Sequence, residues 1–158
     1  MRVPPGIAVI EDQRTPGQPS QLHRYFVIEE NSELSSAEVE RPRAMADEVT
    51  GDPVVAFDFT NRGRKAFKRL TQRLAERGAK AAAGKASPEP FFQRFAIVLD
   101  NRVVSLATID FVATPNGIDA PGAQIAGIGS MDATRKLAKR LAAAPLEAEL
   151  ELVSIRKL

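Results

Sequence analysis

The sequence predicts an α+β domain, mainly antiparallel strands with helices packed on one side of them. Three observations carry that reading. PVVAFDFT (53–60) and LEAELELVSI (146–155) alternate their residue types with the period of two that marks a strand. Residues 61–78 and 130–144 space apolar side chains at three and four with basic residues around the rest, as amphipathic helices do. FAIVLDNRVVSLATI (95–109) reverses on Asp-Asn-Arg, residue types that tolerate positive φ, so two very apolar strands share a tight turn.

Taken in order, GIAVIEDQ (6–13) reads as a short strand, closed by the Pro- and Gly-rich TPGQPSQ, and RYFVIEE (24–30) as a second. NSELSSAEVERPRAMADEV (31–49) switches to helical spacing. Leu34, Ala37 and Val39 are its apolar residues, Ser35 or Ser36 the cap, and Pro42 the end or kink. In the next strand Val55, Phe57 and Phe59 form the heavy face and Val54, Ala56 and Asp58 the other. Thr60 or Asn61 caps the next helix. Its stripe is Phe67, Leu70 and Leu74, and Gly78 is the expected stop.

AKAAAGKASPEPFFQ (79–93) reads as a flexible excursion, ending where Phe91 and Phe92 re-enter the fold. After the hairpin, ATPNGIDAPG (113–122) is a loop and GAQIAGIG (122–129) a short strand broken by glycine. Ser130 caps a second helix, with Ala133, Leu137, Ala138 and Leu141 inward and Pro145 at its end. The closing strand carries Glu147, Glu149 and Glu151 on one face, which discourages pairing with another chain.

Composition narrows the function classes. With no cysteine, disulfides, thiolate zinc sites and cysteine nucleophiles are excluded, and a single histidine, His23, leaves triads and His-based metal sites almost nothing to work with. No stretch approaches the roughly 20 apolar residues of a membrane-spanning helix, and MRVPPGIAVIEDQ lacks the apolar centre of a signal peptide. The chain is therefore expected to be a soluble piece, of the kind that excision from between membrane spans would leave. The net charge of +2 conceals an acidic first third and a basic middle, where residues 51–100 hold 10 basic against 5 acidic groups.

That basic middle is concentrated on the helix bearing Arg62, Arg64, Lys65, Lys68, Arg69, Arg73 and Arg77. Such a face is either simply solvated or meets phosphates of nucleic acid or lipid. Phe91 and Phe92 either close a core or offer an apolar landing place for an unfolded chain. Asp100, at the hairpin tip, is of a type that satisfies its own turn, with no second acid or base that spacing can place beside it. His23 reads as an exposed residue. GIGS (127–130) precedes a helix but lacks the Gly-Lys-Ser/Thr ending of a phosphate loop.

Three stretches in this order, VVAFDFTNRGRKAFKRLTQRL, FAIVLDNRVVSLATIDF and GAQIAGIGSMDATRKLAKRLAAAPLEAELEL, resemble the large extracytoplasmic domain of the SecD family of bacterial preprotein translocase subunits. The first is similar through Asn61, Gly63, Phe67, Leu70 and Thr71, the second through residues 96–100 and 103–105, the third through Gln124, Ile125 and Gly127. RYFVIEE and ELSSAEVE add to the likeness, which spans residues 24–152. Leu106 stands where the family usually carries proline, and the stretch 79–93 is longer than usual.

The resemblance implies a domain on the outer side of the cytoplasmic membrane. It would bind emerging unfolded preprotein and prevent its sliding back, while proton flow through absent spans supplies the energy. It implies no enzyme, no cofactor and no metal. Partners would be the preprotein, SecF and the Sec channel through the full-length protein, and an anionic membrane surface, with nucleic acid excluded. Arg64, Lys68, Phe91, Phe92 and Asp100 are the candidate contacts for client or lipid. A base and a head subdomain are expected, with residues 1–30 and 144–158 in the base and 31–143, including a flexible loop 79–93, in the head. The alternatives are a nucleic-acid-binding α+β domain using the basic helix 61–78, and an enzyme of unrecognised type.

Overall fold

The computed structural model describes residues 5–11, 25–29, 34–99, 102–143 and 151–154. Strands β1 (Ile7–Glu11) and β2 (Tyr25–Glu29) pair antiparallel as a separate ribbon. A second sheet has the order β3–β4–β7, from Val39–Ala46, Pro53–Phe59 and Gly122–Ile125. A third has the order β6–β5–β8, from Arg102–Ile109, Gln93–Leu99 and Glu151–Ser154. All of their pairings are antiparallel. Helices α1 (Asn61–Ala82) and α2 (Met131–Ala142) complete the α+β architecture that the sequence predicts.

Alternation along β5 divides the interior in two. Phe95, Ile97 and Leu99 face the main core, where they meet Val55 and Phe57 of β4, Phe67, Leu70 and Leu74 of α1, and Leu137 and Leu141 of α2. Ala96 and Val98 face the other way and pack with Val103, Ile10 and Ile28, so the β1–β2 ribbon covers the back of the β5–β6 pair. The apolar hairpin is thus spent on two cores at once, one on each face of its sheet. Strand β4 is also more buried than the sequence suggests: Val54 and Ala56 are as inaccessible as Val55 and Phe57.

The helix expected in 31–49 is instead a single 3₁₀ turn, Ser36–Glu38, succeeded by β3. The start signal is real: Ser35 and Glu38 form a reciprocal capping box. Residues 39–42 cannot extend the turn into a helix, because Val39 is already extended and Pro42 has no N–H to give. The chain joins the edge of a sheet, with an irregularity between Glu40 and Arg43 and Arg41 at φ 49°. Edges and bulges are where a sheet tolerates proline.

Gly78 likewise does not stop α1, which runs four residues further, so residues 79–82 of the expected excursion are helical and Glu89–Phe91 forms a 3₁₀ turn. The glycine has another use. A Cβ at Gly78 would lie 2.6 Å from Cδ1 of Phe111, so the missing side chain lets the residue 111 ring sit against the helix. The caps at Thr60 and Ser130 form as expected, accepting from the amides of Gly63 and Ala133. Within α2, Thr134 is fully buried and Ala133 only half-buried, a shift of the inward stripe by one residue. His23, the hairpin tip at 100–101, Pro145 and residues 146–150 lie outside the described residues.

Candidate functional site: an apolar cleft between two sheets

Four phenylalanines cross from one three-stranded sheet to the other. Phe57 and Phe59 of β4 meet edge to face at 5.4 Å, Phe59 stacks on Phe67 of α1 at 5.0 Å, and Phe67 meets Phe95 of β5 edge to face at 6.0 Å. Aromatic pairs prefer these offset geometries, so the chain of rings is a fixed floor rather than loose filling. Above it lies a half-open cleft with an internal space of about 60 Å³. Its walls are Leu34 and Val39 on one side, Ile97, Ser105 and Ala107 from the third sheet, and Ala123 and Gln124 from β7.

The turn at the cleft mouth is held by charge. Glu38 is 10% exposed at its side chain; its Oε2 accepts from the Ser35 backbone N–H at 2.8 Å and from Ser35 Oγ at 2.6 Å, while Arg62 lies 3.5 Å from Oε1. Burial pushes this carboxyl up, but the Ser35 hydrogen bonds and the Arg62 charge outweigh it, and the net displacement is downward. The Glu38 carbonyl accepts from Thr60 N–H at 3.0 Å, and a Cβ at Gly63 would lie 2.6 Å from the same oxygen. Gly63 therefore permits the close approach that fastens this turn to the start of α1.

The loop between β6 and β7 is clamped onto α1. Thr71 is fully buried, and its Oγ1 accepts from Ile118 N–H at 2.8 Å. Gly117 combines φ 75° with a place where a Cβ would lie 2.6 Å from the helix backbone at Lys68 and Gln72. Asp119 then receives Arg64 Nε, with Lys68 Nζ at 3.3 Å. The hydrogen bonds from Arg64 and Lys68 lower the Asp119 carboxyl below its ordinary range.

The sequence-predicted residues fall into three groups. Arg64 and Lys68 share Asp119 on the outer face of α1, although each remains about half exposed. Phe91 and Phe92 are half-buried beside the far end of α1, where Phe92 meets Phe111 edge to face at 5.4 Å. Asp100 lies outside the described residues. Of the basic residues on that helix, Arg62, Arg64, Lys68 and Arg77 are among those that meet a carboxylate. Neither the Arg64–Lys68 pair nor the Phe91–Phe92 pair lines the cleft. Among the described residues, no cluster of acids and histidines has the arrangement of a metal site, and no helix is long and apolar enough to cross a membrane.

A sequence model of the SecDF P1 head subdomain matches residues 9–148, most of the chain. The chain belongs to this family. A solved structure described as "Structure and function of a membrane component SecDF that enhances protein export" is similar at 28% sequence identity and a TM-score of 0.55. The similarity covers 80% of this chain and 47% of that one, so the chain spans about half the length of that SecDF component. No curated protein matches it.

The P1 head match includes the strands, the turn and the helix that build the cleft, since it runs from within β1 to beyond the end of α2. Sequence reasoning named none of the residues that line the cleft as a site, Leu34, Val39, Phe59, Ala107 and Ala123 among them. They become neighbours through the tertiary fold.

Proposed function

We propose that this SecDF P1 head subdomain serves protein export by holding unfolded stretches of the exported polypeptide in the apolar cleft, so that a captured stretch resists sliding back. It acts by binding and catalyses no reaction. The observation that carries the reading is a rigid aromatic floor under an open, almost uncharged cleft in a chain of this family. Unfolded chains present the apolar side chains that folded partners hide, and the cleft offers those side chains an apolar surface. The related SecDF component is described as enhancing protein export, which fits this role. The subdomain works on the extracytoplasmic side of the membrane, coupled through the full-length protein to SecF and the Sec channel.

Magnitudes favour a transient grip. Each apolar side chain that the cleft buries contributes about 2 kcal/mol, so two of them give about 4 kcal/mol before the entropic cost of association, and a Kd no tighter than about 1 mM. Binding of that strength releases quickly, which suits a device that must hand the chain onward. The test is site-specific crosslinking in the full-length translocase with an arrested export client. A benzophenone probe at Gln124, an exposed residue at the edge of the lining, is expected to label the client, while a probe at Lys139, on the exposed face of α2, should not. Labelling from Phe91 or Lys139 with none from Gln124 would overturn the placement in the cleft.

A further inference from the structure

Both three-stranded sheets end at the cleft with an edge strand, β6 on one side and β7 on the other. Among the described residues each has a neighbour on one flank only, so every second residue turns its N–H and C=O away from its sheet. Among the described residues, no backbone hydrogen bond reaches the outer flank of either strand. An unpaired edge of this kind is a template for another extended chain unless something guards it.

The edges are guarded unequally. Strand β3 carries the irregularity between Glu40 and Arg43, the left-handed Arg41 and Pro42, which spoil it as a template. From Val103 to Ile109, β6 has neither a charge nor a proline, and residues 104–107 are only half-buried. Side chains beside the gap are small: Ser105 and Ala107 on β6, Ala123 on β7. An added strand would have room for its own side chains over the phenylalanine floor.

We infer that the cleft takes polypeptide as an added β-strand, its main chain hydrogen-bonded to the outer flank of β6 and its alternate side chains laid on Phe59 and Phe67. The inference rests on the export reading and specifies the ligand: an extended, uncharged segment, not an amphipathic helix. Main-chain recognition of this type reads conformation rather than sequence, with the pockets selecting alternate side chains. A handler of many different clients needs that tolerance.

The test uses the 158-residue chain and a labelled ten-residue peptide that alternates leucine and threonine, with arginine at each end. Two twins carry N-methyl groups, one on every leucine and the other on every threonine. An added strand turns one set of amides toward β6 and the other away, so one twin alone should lose affinity, by about tenfold or more. The parent peptide should also slow hydrogen exchange at alternate amides within Val103–Ile109. Equal binding of both twins and the parent would overturn strand addition and leave apolar capture standing. Failure of all three peptides to bind would remove the capture reading itself. A concentration-dependent dimer that protects the same amides without peptide would make the edge a contact between copies, and would equally overturn the inference.

Discussion

Thr71→Val tests whether the loop between β6 and β7 is held by one hydroxyl. The change keeps the side chain's shape but removes the Oγ1 that accepts from Ile118 N–H at 2.8 Å and donates to the Phe67 carbonyl at 2.9 Å. The Phe67 carbonyl belongs to the helix ladder and loses little. The Ile118 amide loses the only partner that the fold gives it among the described residues, and an orphaned donor costs about 1–3 kcal/mol. The added methyl recovers part of this, since Thr71 is fully buried, so the expected loss is about 2 kcal/mol. Thr71→Ser keeps the hydroxyl and deletes a methyl, for about 1 kcal/mol. Urea unfolding followed by circular dichroism reads the difference: with a slope of about 2 kcal/mol/M, the valine variant should unfold about 1 M earlier than the parent and the serine variant about 0.5 M earlier. If valine matches the parent, or if serine proves the less stable of the two, packing rather than the hydroxyl holds the loop.

Asp119→Asn separates the ionic part of the same clamp. Because Arg64 and Lys68 lower the folded carboxyl below its unfolded value, the pair contributes stability above that unfolded value and loses it as pH falls through the folded one; the gap between parent and variant in urea midpoint should be present at neutral pH, shrink with salt and close in strong acid, and a gap that persists there would refute the pairing. Ala107→Leu should narrow the cleft and so cost client crosslinking from a probe at Gln124, and retained labelling would show that the client binds elsewhere.

The strands and helices were legible where burial repeats with a local period. Residues 53–59, the hairpin arms and both helices each bury a face that the sequence displays on its own. The reading failed where a local signal competed with distant partners. Ser35 and Glu38 do form a helix start, yet residues 39–46 pair with β4 instead, because a strand on β4 offers backbone partners that a helix broken at Pro42 does not. Gly78 looked like a terminator because glycine usually is one, while its actual requirement is the ring of Phe111, 33 positions away, for which no pattern around residue 78 gives notice. The candidate contacts were chosen for chemistry visible on one element, basic stripe or aromatic pair. Both chemistries turn out to be partly occupied, by Asp119 and by Phe111.

The cleft could not be found that way, since its lining comes from the turn before β3, from five strands of the two sheets and from one helix, each lending one or two side chains. Its open shape is also held from several places. The ring chain from Phe57 to Phe95 fixes the distance between the sheets at the floor, and the Glu38–Gly63 approach fixes the turn at the rim, so neither wall can fall inward without breaking aromatic contacts or a buried hydrogen-bonded carboxylate. Between these fixed points, Ser105, Ala107 and Ala123 are too small to reach across. Openness is therefore a matter of side-chain size along two strand edges, set on a frame that larger residues would close without altering the backbone. A frame rigid at floor and rim but empty between is one in which a passing chain can be gripped without first reorganising the protein, and the affinity it gives up by burying so little is what lets the chain move on.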